Sequence, residues 1–125
     1  MADKVIDASA LAAVAFSEPE KLSVLAMLDS ERLFAPQLLC YEMVSICLKK
    51  IRAHPHDRRN ILVAYNKSQS AAVNLLSVPG DQVIVLAKRT GLSAYDASYL
   101  WLALDLDAEL VTLDARLRRV ASKFS

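Results

Sequence analysis

The chain has 125 residues, 54% of them hydrophobic and 23% charged, and fifteen basic against fourteen acidic side chains leave a formal charge of +1. That size fits one domain with a real core, spanning residues 1–125, and two Gly and four Pro exclude a fibrous or low-complexity chain. So even a balance implies no nucleic-acid partner from bulk charge, and any basic surface has to be local.

Asp3 and Asp7 stand where a secretory signal would carry its basic and apolar regions. No apolar run approaches the roughly 18 residues of a membrane span, so a cytoplasmic protein without membrane contact is expected. Val5 and Ile6 predict a short strand ending at Asp7, followed by a helix over Ala8–Phe16. Ser17 and Glu20 have capping-box spacing and Pro19 suits a first turn, so a second helix is expected from Ser17 to Leu28, stopped by Asp29, Ser30 and Glu31.

Arg32–Ala35 reads as the next strand, and Pro36 as the opening of a helix that continues to Ala53. On that helix Leu38, Glu42 and Ile46 share a stripe, with Leu39, Met43 and Leu48 nearby, so Glu42 faces apolar surroundings. A carboxylate so placed needs a compensating cation or metal, or has to reach past the edge of the face to water. Cys40 and Cys47, seven residues apart on one helix, lie about 10 Å apart. That excludes a disulfide and predicts two reduced core cysteines. The same separation argues against a zinc site with His54 and His56.

A basic segment follows, Lys49, Lys50 and Arg52, then Arg58 and Arg59. These cations complement a helix C-terminus and are also dense enough to hold phosphates. A helix is expected from Asp57 to Ser68, a strand over Ala71–Leu76 and a helix over Gln82–Arg89 closed by Gly91. Ser93 then opens a nearly all-apolar helix, Ala94–Leu106, and Glu109–Leu113 makes a last strand before a helix over Ala115–Ala121. Asp105 and Asp107 read as solvated turn residues.

Strands alternating with helices predict an α/β domain with a mostly parallel sheet. Asp7 and Asp114 then leave strand ends on one edge, where such sheets bind ligands. Taken singly, each acid has a structural explanation: Asp7 and Asp114 as N-caps, and Asp96 as the capping-box partner of Ser93. Taken together with Glu42 they form a converging set of carboxylates, a site for a hard cation such as Mg²⁺ or Mn²⁺ acting on a phosphate.

The motifs VIDASAL, YEMV, GLSAYDASYLWLA and LVTLDARL together resemble, in order and spacing, the four acidic motifs of PIN-domain ribonucleases, above all the VapC toxins of VapBC toxin–antitoxin modules. The resemblance covers essentially the whole chain. It implies a three-layer α/β/α fold and Mg²⁺- or Mn²⁺-dependent RNA cleavage, with Asp7, Glu42, Asp96 and Asp114 as the metal-binding catalytic acids and Ser9 and Thr112 in support. It also implies a homodimer and a VapB-like antitoxin. Asp107 departs from the family, where Gly is common before the last strand, so the geometry of that turn is not carried over.

For RNA backbone contacts the candidates are Lys49, Lys50, Arg52, Arg58, Arg59 and Arg116, with Arg118 and Arg119 beside it. Leu22, Leu25 and Leu28 fit either an antitoxin contact or the core. Two rival readings remain. One is a non-catalytic PIN-like module that only binds RNA or protein. The other is a phosphoryl-transfer protein with strand-end aspartates, disfavoured because Asp7-Ala8-Ser9 lacks the second acid of D-x-D and no Lys follows a late strand.

Overall fold

In the computed structural model, which describes residues 3–28 and 32–124, four short strands form one sheet. They are β1 (Asp3–Ile6), β2 (Arg32–Pro36), β3 (Val73–Leu76) and β4 (Glu109–Val111), in the order β3-β2-β1-β4, with every neighbouring pair parallel. Among the described residues the helices are α1 (Ala8–Ala15), α2 (Lys21–Leu28), α3 (Leu39–Ala53), α4 (Arg58–Ser68), α5 (Gly80–Thr90), α6 (Ala94–Asp105) and α7 (Ala115–Ser122), and a 3-10 turn, Pro55–Asp57, joins α3 to α4.

Neighbouring strand residues point to opposite faces, yet Val5 and Ile6 are both completely buried, so the sheet is covered on both sides. Helices α1, α3 and α4 pack on one another, and α5 and α7 pack on α6. These are the outer layers of the expected three-layer α/β/α sandwich. One core gathers Val5, Ile6, Leu39, Met43, Tyr99 and Val111; a second, between α5, α6 and α7, gathers Val83, Leu86, Leu100 and Leu117.

From β1 the sheet grows through β2 to β3, and the chain then returns to lay β4 on the other side of β1. The order therefore reverses between β1 and β4, which opens a crevice beyond their carboxyl ends. Ile6 pairs level with Val111, and the Asp7 N–H donates to Val111 O at 3.1 Å, so Asp7 and Thr112 leave the sheet side by side.

Several local expectations are corrected. Ser17 does not cap α2, which starts four residues later. It sits at φ 50°, just past the end of α1, where Glu18 N–H reaches back to Ala13 O and Ser17 N–H to Val14 O. This is a Schellman termination of α1, so the serine closes the first helix instead of opening the second. The expected stop at Asp29, Ser30 and Glu31 lies outside the described residues.

Pro36 ends β2 and is fully buried; it does not open α3. Gln37 N–H donates to Leu76 O, so the missing donor of Pro36 faces toward β1, which has already ended at that level. The last strand stops at Val111, leaving Thr112 and Leu113 in the connection to α7.

On α3 the buried line is Leu39, Met43 and Cys47, while Leu38, Glu42 and Ile46 form its half-buried rim and Leu48 is exposed. Cys40 is exposed, so only Cys47 is a core cysteine; both are free thiols. Asp107, where the resemblance leads one to expect Gly, sits at φ 51°, and Ala108 N–H bonds Ala103 O in a second Schellman turn. A short polar side chain tolerates that left-handed backbone better than most. No helix among the described residues is long and apolar enough to cross a membrane.

Candidate metal centre

The centre is built around Asp7, which is 5% exposed and has both carboxylate oxygens engaged. Its Oδ1 accepts Ala10 N–H at 3.0 Å, capping α1, and Ser9 Oγ–H at 2.7 Å; Oδ2 accepts the hydroxyl of Thr112. Each hydroxyl also accepts a backbone N–H from the exit of β4: Ser9 Oγ that of Leu113, across from β1, and Thr112 Oγ1 that of Asp114, two residues on, both at 3.0 Å. The two small residues therefore tie the ends of β1 and β4 together and lock the Asp7 carboxylate between them.

Asp114 caps α7 through Oδ1, which accepts Leu117 N–H at 2.9 Å, and its side chain is exposed. Asp96 lies in the first turn of α6, where Ser93 Oγ accepts its backbone N–H at 3.1 Å. The reciprocal half of a capping box is not made. Among the described residues the Asp96 carboxylate receives no hydrogen bond, so capping does not account for it. Glu42, half-buried in the first turn of α3, accepts the Tyr99 hydroxyl on Oε1 at 2.6 Å.

The carboxyls of Asp7, Glu42 and Asp96 are all pushed above the ordinary carboxylate range, each mainly by burial. For Asp7 the bonds from Thr112, Ser9 and Ala10 oppose that rise, while the charge of Asp114 adds to it. For Glu42 the Tyr99 bond opposes it, and the charges of Asp7 and Asp96 add. Asp96 is raised further by Asp114 and Asp7 and relieved by Arg116. Four acids from four elements thus bear on one another at the switch point of the sheet.

Among the described residues no three His, Cys, Asp or Glu side chains already surround a common point. The acids line a mouth, not a closed cage. What favours a cation there is the donor chemistry: oxygen only, partly desolvated, with mutual repulsion that a hard divalent ion relieves. Arg116 is held beside the mouth, its Nη2 donating to Gly91 O at 2.7 Å. Gly91 needs its glycine, since its φ of 75° is left-handed and a Cβ would come within 3.3 Å of that guanidinium.

The remaining basic candidates lie elsewhere. Helix α3 starts at the carboxyl edge and runs away from it, so Arg52 is about 15 Å along the axis from Glu42. Lys49, Arg52, Arg58 and Arg59 are exposed at that far end, beyond the immediate surroundings of the acids. Lys50 pairs with Glu18 at 3.0 Å and lies 5.0 Å above the Phe16 ring. Lys49, Lys50 and His54 border a groove of about 400 Å³ between α1, α3 and α4.

Arg118 donates to Thr112 O, and Arg119 is exposed. On α2, Val24 is the buried residue, while Leu22 and Leu25 are exposed and Leu28 packs partly on the core. The partner that the sequence reading missed is Tyr99. Its signal was a tyrosine inside an apolar helix, which needs something for its hydroxyl.

Comparison with known proteins gives the family to which this fold belongs. The model of the PIN domain family matches residues 4–123. VapC ribonuclease Mb0985 of Mycobacterium bovis and ribonuclease VapC9 of Mycobacterium tuberculosis are each 34% identical over 116 residues, 90% of this chain and 87% of theirs. The crystal structure of PAE2754 from Pyrobaculum aerophilum superposes with a TM-score of 0.76 at 29% identity, over 95% of this chain and 84% of that one. The chain belongs to the PIN-domain family and is a VapC-type member of it.

Proposed function

We propose that this protein is a Mg²⁺- or Mn²⁺-dependent endoribonuclease, the toxin of a type II toxin–antitoxin pair, with the whole chain forming one nuclease domain. The observation that carries the reading is the convergence of Asp7, Glu42, Asp96 and Asp114 where the strand order reverses, each carboxylate within the electrostatic influence of at least one other. The names of the ribonuclease relatives support it.

Asp7 and Asp96 would hold the ion, with Glu42 and Asp114 completing the set directly or through water. When bound, such an ion activates water and stabilises an in-line displacement at phosphorus. The chain's own contribution is positional. Ser9 and Thr112 keep the Asp7 carboxylate aimed and ionisable against the cost of burial, and Arg116 offers a planar cation to a phosphate at the mouth. The distal cations Lys49, Lys50, Arg52, Arg58 and Arg59 would extend the path of the RNA backbone. Exposed Leu22 and Leu25 favour a protein partner such as a VapB-like antitoxin, and a homodimer is proposed from the family.

Purified protein is expected to cleave single-stranded RNA with Mg²⁺ or Mn²⁺ and to stop in EDTA. Calorimetry should detect Mn²⁺ binding that disappears when Asp7→Asn and Asp96→Asn are combined. Cleavage that survives EDTA, or Mn²⁺ binding unchanged in the double variant, defeats the reading; RNA binding without cleavage under any metal favours the non-catalytic module instead.

A further inference from the structure

We propose that Tyr99 is the positioning residue of the centre, a clamp that fixes the Glu42 carboxylate relative to Asp96; the assignment rests on the metal reading above. Glu42 stands on the rim of α3, and a glutamate there has several rotamers open to it, including ones that point into water. The Tyr99 hydroxyl removes that freedom by donating to Oε1 at 2.6 Å. Oε2 receives no donor among the described residues and stays available.

The clamp itself cannot move. Tyr99 is 1% exposed, packed in the main core beside Met43 and Leu102. An ionised carboxylate can only accept, so the hydroxyl that faces Glu42 is the donor. For packing alone a phenylalanine would serve, without the cost of desolvating a hydroxyl. The hydroxyl's one partner among the described residues is Glu42.

Asp96 and Tyr99 are three residues apart on α6, hence on one face of the helix. A single rigid turn therefore carries one candidate ligand and the clamp on another. Glu42, on α3 and 57 residues away in sequence, is registered to that turn instead of to its own helix.

Tyr99→Phe tests this because it deletes the hydroxyl and keeps the ring. The expected result is Mn²⁺ affinity about 10-fold weaker by calorimetry, as for other groups that orient metal ligands. A fall in kcat with KM for RNA unchanged, and a melting temperature in EDTA within about 2 °C of wild type, should accompany it. In a Glu42→Ala background the same substitution should do almost nothing further, since the acceptor it acts through is gone.

If wild type binds Mn²⁺, Asp7→Asn abolishes binding and Tyr99→Phe matches wild type, the clamp is wrong and the metal reading stands. An equal loss with and without Glu42 also overturns the clamp. Wild type that binds no Mn²⁺ overturns both.

Discussion

The two ends of α3 show opposite ways of placing charge. At its start Glu42 is half-buried among other acids and held by a side chain from α6, as Asp7 is held by Ser9 and Thr112. At its far end Lys49, Arg52, Arg58 and Arg59 are exposed, and Lys50 makes one partly exposed ion pair with Glu18. The charges at the start are built into the core's edge and fixed by other residues. The charges at the far end are left in solvent, where each would contribute little alone to holding a polyanion.

The comparison breaks most sharply at Asp7. Asp7→Asn is expected to lower RNA cleavage by more than about 100-fold, beyond the range typical of groups that merely orient a ligand, and to abolish Mn²⁺ binding in calorimetry. Next comes the basic residue on each side of the divide. Arg116→Ala should cut kcat/KM about 10-fold, the effect of removing one charge-assisted hydrogen bond at the mouth. Replacing Lys49, Arg52, Arg58 and Arg59 together by Ala should spare kcat and weaken RNA binding, flattening the log Kd versus log salt plot by about 0.7 for each phosphate no longer neutralised. Equal kinetic effects from both sets would erase the distinction between the two ends.

The acids also set a pH dependence with a definite sign. Asp7, Glu42 and Asp96 have carboxyls raised by folding, so between the ordinary carboxylate value and their raised values the native state binds more protons than the unfolded chain. Their contribution to stability therefore falls as pH rises through that window. Thermal melts in EDTA should show it as a wild-type decline with pH that is shallower in Asp96→Asn. Saturating Mn²⁺ should restore stability most at the upper end, where the carboxylates are ionised. The smallest effect lies away from both ends of α3: Asp107→Gly, at φ 51°, should stabilise by about 0.5–1 kcal/mol in chemical denaturation.

The four strands were legible because each is a short apolar run between turn residues, and Asp7, Asp96 and Asp114 because each sits at a boundary that pattern alone reveals. Less legible were features in which one residue type serves two conformations. Ser17 suits an N-cap and also ends a helix in a left-handed turn; Pro36 suits the first turn of a helix and also the last position of a strand whose neighbour has ended. Glu42 was read onto the buried stripe itself, one position over from the true line of Leu39, Met43 and Cys47.

By itself the sequence determined the alternation of strand and helix, the parallel sheet and which acids stand at element boundaries, because these depend on local periodicity and on motifs a few residues long. Only the tertiary structure decided how the acids are held and which cations are near them. Thr112 reaches Asp7 across 105 residues and Tyr99 reaches Glu42 across 57, hydrogen bonds that exist because β4 returns beside β1 and α6 packs close to α3's first turn. No local rule encodes such a pairing. It appears once the chain has folded and a buried hydroxyl must find an acceptor.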